Sequence, residues 1–259
     1  MEGLNMTKTA LITGATNGLG YDFVQLFAKD GYNLVLVARN SQRLQEIKKS
    51  LPNIEVTVIA KDLSVPGAAK EVFEETERKG IAIDVLVNNA GFGLMGKFDE
   101  LDIQKQMNMI SLNIASLTEL THYALSGMKL RESGRILNVA STAAFQPGPL
   151  MAVYYASKAF VLSFSEALSE ELAGTRITVT ALCPGATSTN FGAVANVEGT
   201  KMFSRAMASD DVAKKGYAAL MKGKRVIVTG GLNKAGAIGT KFMPRSMAAK
   251  VAKYVAGEK

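Results

Sequence analysis

Short aliphatic and β-branched runs alternate along most of the chain with longer stretches whose apolar residues recur every three or four positions. The runs read as strands at 9–13, 33–38, 55–60, 84–87, 135–140, 178–183 and 225–229. Strands separated by helical patterns are the signature of a parallel sheet wrapped by helices. The expected fold is therefore α/β, a doubly wound sheet of seven strands, whose ligands bind beyond the carboxyl ends of the strands. The strongest helical pattern covers 154–173, with Phe160, Phe164, Ala167, Leu168 and Leu172 at core-facing spacing. Between 187 and 209 the pattern weakens into small and polar residues mixed with Phe191, Val194, Val197 and Phe203. That stretch reads as a lid over a site or as a surface loop.

Composition keeps this picture and removes others. With 259 residues, 47% of them hydrophobic and 20% charged, the chain suits a globular protein with a large core. Nothing resembling a linker divides it, so 1–259 reads as one domain, with 187–222 as a substrate-loop region and 232–259 as a basic C-terminal extension. Residues 1–6 read as an extension ahead of the first strand. Cys183 is the sole cysteine and His122 the sole histidine, so neither an intrachain disulfide nor a bound metal is expected. With no run of about 18 apolar residues and no secretory leader pattern, a cytoplasmic protein is expected.

The net charge of +7 is uneven: from Leu232 onward Lys234, Lys241, Arg245, Lys250, Lys253 and Lys259 face only Glu258. A solvated helix face over a subunit or the core is the commoner reading of such a tail. Contact with an anionic membrane surface is the less favoured alternative. No motif supports nucleic-acid binding.

Candidate chemistry gathers after the strands. Gly14, Gly18 and Gly20, in Thr13-Gly14-Ala15-Thr16-Asn17-Gly18-Leu19-Gly20, follow the first strand and open a helix. Glycines there let backbone N–H groups approach a pyrophosphate at the positive helix end. A tight turn with no ligand is the plain alternative, and the spacing departs from G-x-G-x-x-G. At the end of the second strand, where a carboxylate would take the ribose 2′-hydroxyl of NAD, the chain reads Ala38-Arg39-Asn40. A guanidinium there pairs with a phosphate, which favours NADP. Arg43 reads as a helix-surface charge in preference to a second ligand.

Tyr154 and Lys158 stand four apart, thirteen residues after Ser141. Positions i and i+4 share a helix face, so the Lys158 ammonium can lie beside the Tyr154 phenol and favour its ionised form. A phenol ordinarily titrates near ~10, and a cation brings it toward working pH, where it passes protons. The pair alone is a short motif, equally compatible with an ordinary surface helix.

Taken in order, the set resembles the short-chain dehydrogenase/reductase family over nearly the whole chain. It comprises the glycine loop, Asp62-Leu63 after the third strand, Asn88-Asn89-Ala90-Gly91 after the fourth, Asn113, Ser141, Tyr154 with Lys158, and Pro184-Gly185-x-Thr187-x-Thr189 after the sixth. The resemblance implies NADP(H) bound by Gly14, Thr16, Asn17, Gly18, Leu19, Gly20 and Arg39. Asp62 and Leu63 would flank the adenine, and Asn89, Ala90 and Gly91 would support the ribose side. Pro184, Gly185, Thr187 and Thr189 would lie at the nicotinamide. It further implies that Ser141 holds a carbonyl oxygen, that Tyr154 donates the proton and that Lys158 lowers the Tyr154 pKa and holds the nicotinamide ribose. Asn113 would position a water that relays protons to Lys158. One departure is Asn17, where many NADP-using relatives carry a basic residue, which leaves 2′-phosphate selectivity mainly to Arg39.

Reduction of a ketone or aldehyde to an alcohol is the expected reaction, reversible in principle. A β-ketoacyl or fatty-acyl thioester reductase and a non-catalytic NADP-binding sensor or scaffold are the alternatives. Apolar content near 92–94, 143–150 and 191–203 suggests an aliphatic or aromatic small-molecule carbonyl substrate. The resemblance also implies a homo-oligomer, dimer or tetramer, through the helices carrying Asn113 and Tyr154.

Overall fold

The computed structural model describes residues 7–257, with the side chains of Met202 and Arg205 left aside. The leading segment 1–6 and the tail positions Glu258 and Lys259 lie outside the described residues.

Seven parallel strands form one sheet in the order β3 (Val56–Ala60), β2 (Asn33–Ala38), β1 (Thr9–Thr13), β4 (Val85–Asn88), β5 (Gly134–Val139), β6 (Ile177–Cys183) and β9 (Val226–Val228). All seven expected strands are present, within a residue or two at their ends, where hydrogen bonding fades. Successive side chains of a strand point to opposite faces, and here both faces are covered. On β1 and β2, Ala10, Ile12, Leu34 and Leu36 join one core; Leu11, Val35 and Val37 join the other. The first core is closed by Phe23, Val24 and Phe27 of α1 (Gly18–Lys29), Leu44 and Ile47 of α2 (Ser41–Lys49), and Val212 and Leu220 of α8 (Ser209–Met221). The second is closed by Val72 and Phe73 of α3 (Ala68–Arg78) and by Leu120, Ala124 and Met128 of α5 (Leu117–Leu130).

The strand order reverses between β1 and β4, so the connections leaving their carboxyl ends diverge and open a crevice there. A chain of buried amides sets the helices relative to this crevice. Asn88 Nδ2 donates to Thr121 Oγ1 at 3.0 Å and to Asn138 Oδ1 at 2.9 Å, and Asn138 Nδ2 donates to Ser165 Oγ at 2.9 Å. It ties α5 through β4 and β5 to α6 (Ala152–Glu171).

The face of α6 that meets the protein matches expectation only in part. Its buried residues are Tyr154, Tyr155, Ser157, Lys158, Val161, Leu162 and Ser165. Phe160 and Ala167 are exposed and Phe164 is half-buried, with the Phe160 and Phe164 rings stacked at 5.7 Å. Of the apolar row read from periodicity, Leu172 and Leu168 pack into the second core and Phe164 against a buried cluster, while Phe160 and Ala167 lie outward. The inner row hides three polar side chains, which local partners satisfy, and periodicity alone scores such positions as surface.

The weakly patterned stretch after β6 is ordered rather than loose. β7 (Thr187–Ser188) pairs in parallel with β8 (Met207–Ala208) and closes its base, with α7 (Phe191–Ala195) and a 3-10 turn (Lys201–Arg205) between them. Beyond β9 the chain forms α9 (Gly231–Gly239), a 3-10 turn (Thr240–Phe242) and α10 (Arg245–Ala256). The remaining helix, α4 (Ile103–Ile110), runs into α5 through a π-helical turn, Ser111–Ser116, that carries Asn113. No described helix is long and apolar enough to cross a membrane.

Candidate active site

The crevice is a cleft of about 1260 Å³ running along the carboxyl ends of the strands. Gly14, Thr16, Asn17, Gly18, Leu19, Arg39, Asp62, Leu63, Asn89, Ala90, Gly91, Ser141, Tyr154, Lys158, Pro184, Gly185, Thr187 and Thr189 all line it. Two expected site residues, Gly20 and Asn113, stand behind the wall instead of in it.

At one end the turn from β1 into α1 has positive φ at Gly14 (66°) and Gly18 (50°), a region that favours glycine. The turn is pinned from β4: Asn89 Nδ2 donates to Thr13 O at 2.9 Å, and Thr13 Oγ1 accepts from Asn89 N and Ala90 N, each at 3.0 Å. Gly20 works by absence of bulk, since a Cβ on it would meet Gly14 O at 2.1 Å. Backbone cannot yield as a side chain can, so Gly20→Ala is expected to displace the turn and lower stability by about 1–3 kcal/mol. Urea unfolding against wild type would show it, and an unchanged midpoint would contradict the contact.

Arg39 lines the same end, where β2 finishes, and its charge acts on Asp62. Burial pushes the Asp62 carboxyl up, but hydrogen bonds from Ser64 N (2.9 Å) and Ser64 Oγ (2.7 Å), with Arg39, outweigh it and hold the carboxyl below its ordinary value. Arg43 turns away, paired with Glu46 at 3.1 Å and lying over the Tyr21 ring.

At the other end, Ser141 follows β5 and caps a short turn, its Oγ accepting from Ala143 N at 3.1 Å and donating to Pro184 O at 3.4 Å. Tyr154 is 9% exposed, its ring 5.3 Å from that of Phe191. Lys158 is 6% exposed, and its Nζ donates to Val139 O at 2.7 Å. Asn113 is held on three sides: Nδ2 donates to Phe92 O (3.0 Å) and Ser157 Oγ (3.1 Å), while Oδ1 accepts from Phe92 N (3.2 Å). Ser157 in turn donates to Tyr154 O at 2.7 Å. Ser157 thus couples the π-helical turn to the tyrosine's own backbone, a positioning contact that sequence reading missed. Its place three residues after Tyr154 on one helix face was the available signal.

The electrostatics correct the expected Tyr154–Lys158 coupling. Burial pushes the Tyr154 phenol well above its ordinary value, with the Ser141 hydroxyl pulling the other way. The Lys158 ammonium points to Val139 O and stands 5.9 Å from the Tyr154 ring centre, so it does not bring the phenol down. Burial lowers Lys158 itself to about 8. Cys183, free and fully buried in β6, is pushed up to about 12 by burial and stays an inert thiol.

An apolar wall surrounds Tyr154: Met109, Ala143, Met151, Tyr155, Ala195 and Val197 form one buried cluster with it, flanked by Phe92, Leu94, Phe191 and Phe203. All three segments expected near a substrate contribute to it or to the cleft. The tail contributes as well, since Leu232, Asn233, Ala237, Val251 and Val255 line the cleft. Sequence reading placed that segment outside the site because its charge, not its alanines and valines, drew attention.

Known proteins resemble this chain in sequence and in fold. The family model described as short chain dehydrogenase matches residues 8–200. An uncharacterized oxidoreductase of Staphylococcus epidermidis is 33% identical over 182 residues, covering 70% of this chain and 79% of that protein. The very-long-chain 3-oxoacyl-CoA reductase of Rattus norvegicus is 34% identical over 189 residues, covering 70% of this chain and 60% of that protein. Among solved structures, a short-chain dehydrogenase from Sphingobium yanoikuyae in complex with NADPH superposes with a TM-score of 0.80 at 29% identity, covering 91% of this chain and 93% of its own. With the family pattern running through the glycine turn, the strand ends and the Tyr154–Lys158 helix, this chain belongs to the short-chain dehydrogenase family of oxidoreductases.

Proposed function

We propose that the protein is an NADPH-dependent reductase that converts a ketone or aldehyde to the alcohol, reversibly. One observation carries the reading: Ser141, Tyr154 and Lys158 line one end of a single cleft whose other end holds Arg39 and the glycine turn. The residues present fit a dinucleotide. At Gly14, Gly18 and Gly91 a Cβ would come within 2.8–2.9 Å of Asn89, Thr189 and Asn113 respectively, so only glycine lets the turn and the cleft wall pack this closely. Arg39 supplies a guanidinium for a 2′-phosphate, Asp62 and Leu63 flank the adenine end, and Thr187 and Thr189 face the nicotinamide end.

A bound reduced nicotinamide supplies the hydride. Negative charge then grows on the substrate oxygen, and Ser141 Oγ and the Tyr154 phenol are the donors that receive it. With its pKa raised by burial, Tyr154 stays protonated across neutral pH and is ready to give its proton. Lys158 holds the nicotinamide ribose, and Asn113, fixed by Phe92 and Ser157, orients the route by which protons return toward Lys158. The apolar wall around Tyr154 selects a small-molecule substrate with an aliphatic or aromatic body.

A thioester substrate is the second reading, supported by Lys105 and Lys201 at the cleft and by the likeness to a 3-oxoacyl-CoA reductase. A non-catalytic sensor fits less well, because the placement of Ser141 at Tyr154 serves no purpose in binding alone. The Phe160–Phe164 stack on α6, with Phe160 exposed, suits the expected dimer or tetramer, and a cytosolic protein remains the expectation.

The test is oxidation of NADPH and of NADH, followed by nicotinamide absorbance, against ketones, aldehydes and β-ketoacyl thioesters. Turnover with thioesters alone would favour the second reading, and cofactor binding with no turnover the sensor. Arg39→Asp removes a charge-assisted pair and adds repulsion, so the preference for NADPH over NADH in kcat/KM is expected to fall about a hundredfold. An unaltered ratio would place the 2′-phosphate elsewhere.

A further inference from the structure

The C-terminal segment is held to the rest of the protein by little bulk for its length; among its residues 231–257 only Ala237, Ala248, Ala252 and Ala256 are buried. Large apolar side chains on the same segment face outward instead. Leu232 is 73% exposed and Phe242 86%, with Ile238, Met247, Val251 and Tyr254 also exposed. On α10 the geometry is sorted by face. Ala248, Ala252 and Ala256 recur every four residues and point inward, Met247, Val251, Tyr254 and Val255 form the neighbouring stripe, and Lys250 and Lys253 lie on the far side.

Charge decides what can cover this surface. Residues 231–257 hold Lys234, Lys241, Arg245, Lys250 and Lys253 and no acid, and Lys201 adds a cation, its Nζ 3.9 Å from the Tyr254 ring centre. A second copy related by a two-fold axis would set these cations against their own equivalents, which opposes self-association through this face. Apolar side chains exposed along a helix–turn–helix segment whose charged residues are all Lys or Arg are what a helix lying in an anionic lipid interface presents. Moreover, Leu232, Val251 and Val255 line the cleft while belonging to this surface, so the apolar patch continues into the mouth of the site.

We propose that 231–257 docks on an anionic phospholipid bilayer, with Leu232 and Phe242 entering the interface and the lysines meeting the headgroups. Docked in this way, the cleft mouth opens onto lipid, from which an apolar substrate enters without crossing water. That consequence rests on the reductase reading, whereas the docking does not.

The experiment is sedimentation of the full chain with phosphatidylcholine vesicles and with mixed phosphatidylcholine–phosphatidylglycerol vesicles, without cofactor or substrate, so that its failure is separate from failure of the reductase reading. Binding to the mixed vesicles that weakens with salt is expected, with little binding to phosphatidylcholine alone. Each lysine near an anionic surface contributes roughly fivefold, so combined replacement of Lys241, Lys250 and Lys253 by Ala should weaken binding about a hundredfold. Phe242→Ser should weaken it about tenfold or more. Both variants change exposed side chains, and thermal unfolding like that of wild type would exclude misfolding as the cause. Equal binding to both vesicle types, or binding unaffected by Phe242→Ser, overturns the proposal. So does absence of vesicle binding together with an oligomer that Phe242→Ser dissociates, which would make the patch a contact between copies.

Discussion

Replacing Tyr154 by Phe is expected to lower kcat for carbonyl reduction by about three orders of magnitude while leaving NADPH binding nearly intact. The substitution removes one oxygen and keeps the ring, so the packing against Phe191 and Tyr155 survives. What disappears is the proton donor, and general-acid catalysis is worth about 10²–10⁴ in rate. The hydroxyl is also costly to keep where it is, since burial raises the phenol pKa. Thermal stability of Tyr154→Phe should therefore match or slightly exceed wild type. Steady-state kinetics with fluorescence titration of NADPH would check both parts. Retention of more than about a tenth of wild-type turnover would remove Tyr154 as the donor.

Replacing Lys158 by Met should separate activity from stability even more sharply. Turnover is expected to fall by about 10²–10³, the scale of losing one preorganised donor. The unliganded protein should become harder to unfold at pH 7. Burial lowers Lys158 from 10.5 to about 8, so at neutral pH the folded state carries a charge that it holds less well than water does. The sign follows from proton counts: between about 8 and 10.5 the unfolded chain binds the proton that the folded chain has released. Wild-type stability therefore rises with pH through that window, and below it the full penalty bears on the fold. A shift of this size corresponds to something on the order of 3 kcal/mol, moderated by the hydrogen bond to Val139 O. Urea midpoints of wild type and Lys158→Met at pH 7 and near pH 10.5 would converge at the higher value. A variant less stable than wild type at pH 7 would show that the hydrogen bond outweighs the desolvation.

The strands were legible because each is a short aliphatic run set off by turn residues, and a run that must be buried on both faces tolerates little else. The same local logic identified the glycine turn, where two positive φ values admit little but glycine. Arg39, Asp62 and Asn89 were legible for a related reason: each sits one or two residues past a strand end, and every carboxyl end of a parallel sheet opens on the same crevice. These features depend on chain-local chemistry and on strand direction, both written in one dimension.

Three things were decided only when the helices packed. The inner face of α6 turned out to hold polar side chains among its apolar ones, because Asn113, Asn138 and Val139 O lie where Ser157, Ser165 and Lys158 can reach them. The direction of the Lys158 ammonium, and with it the raised Tyr154 pKa, followed from depth of burial, which i,i+4 spacing does not contain. The C-terminal segment became part of the cleft because its helices, seated on four buried alanines, bring Leu232, Val251 and Val255 to the cleft mouth. Spacing along the chain determined which residues share a face; partners distant in sequence, and the water they exclude, determined what each face does.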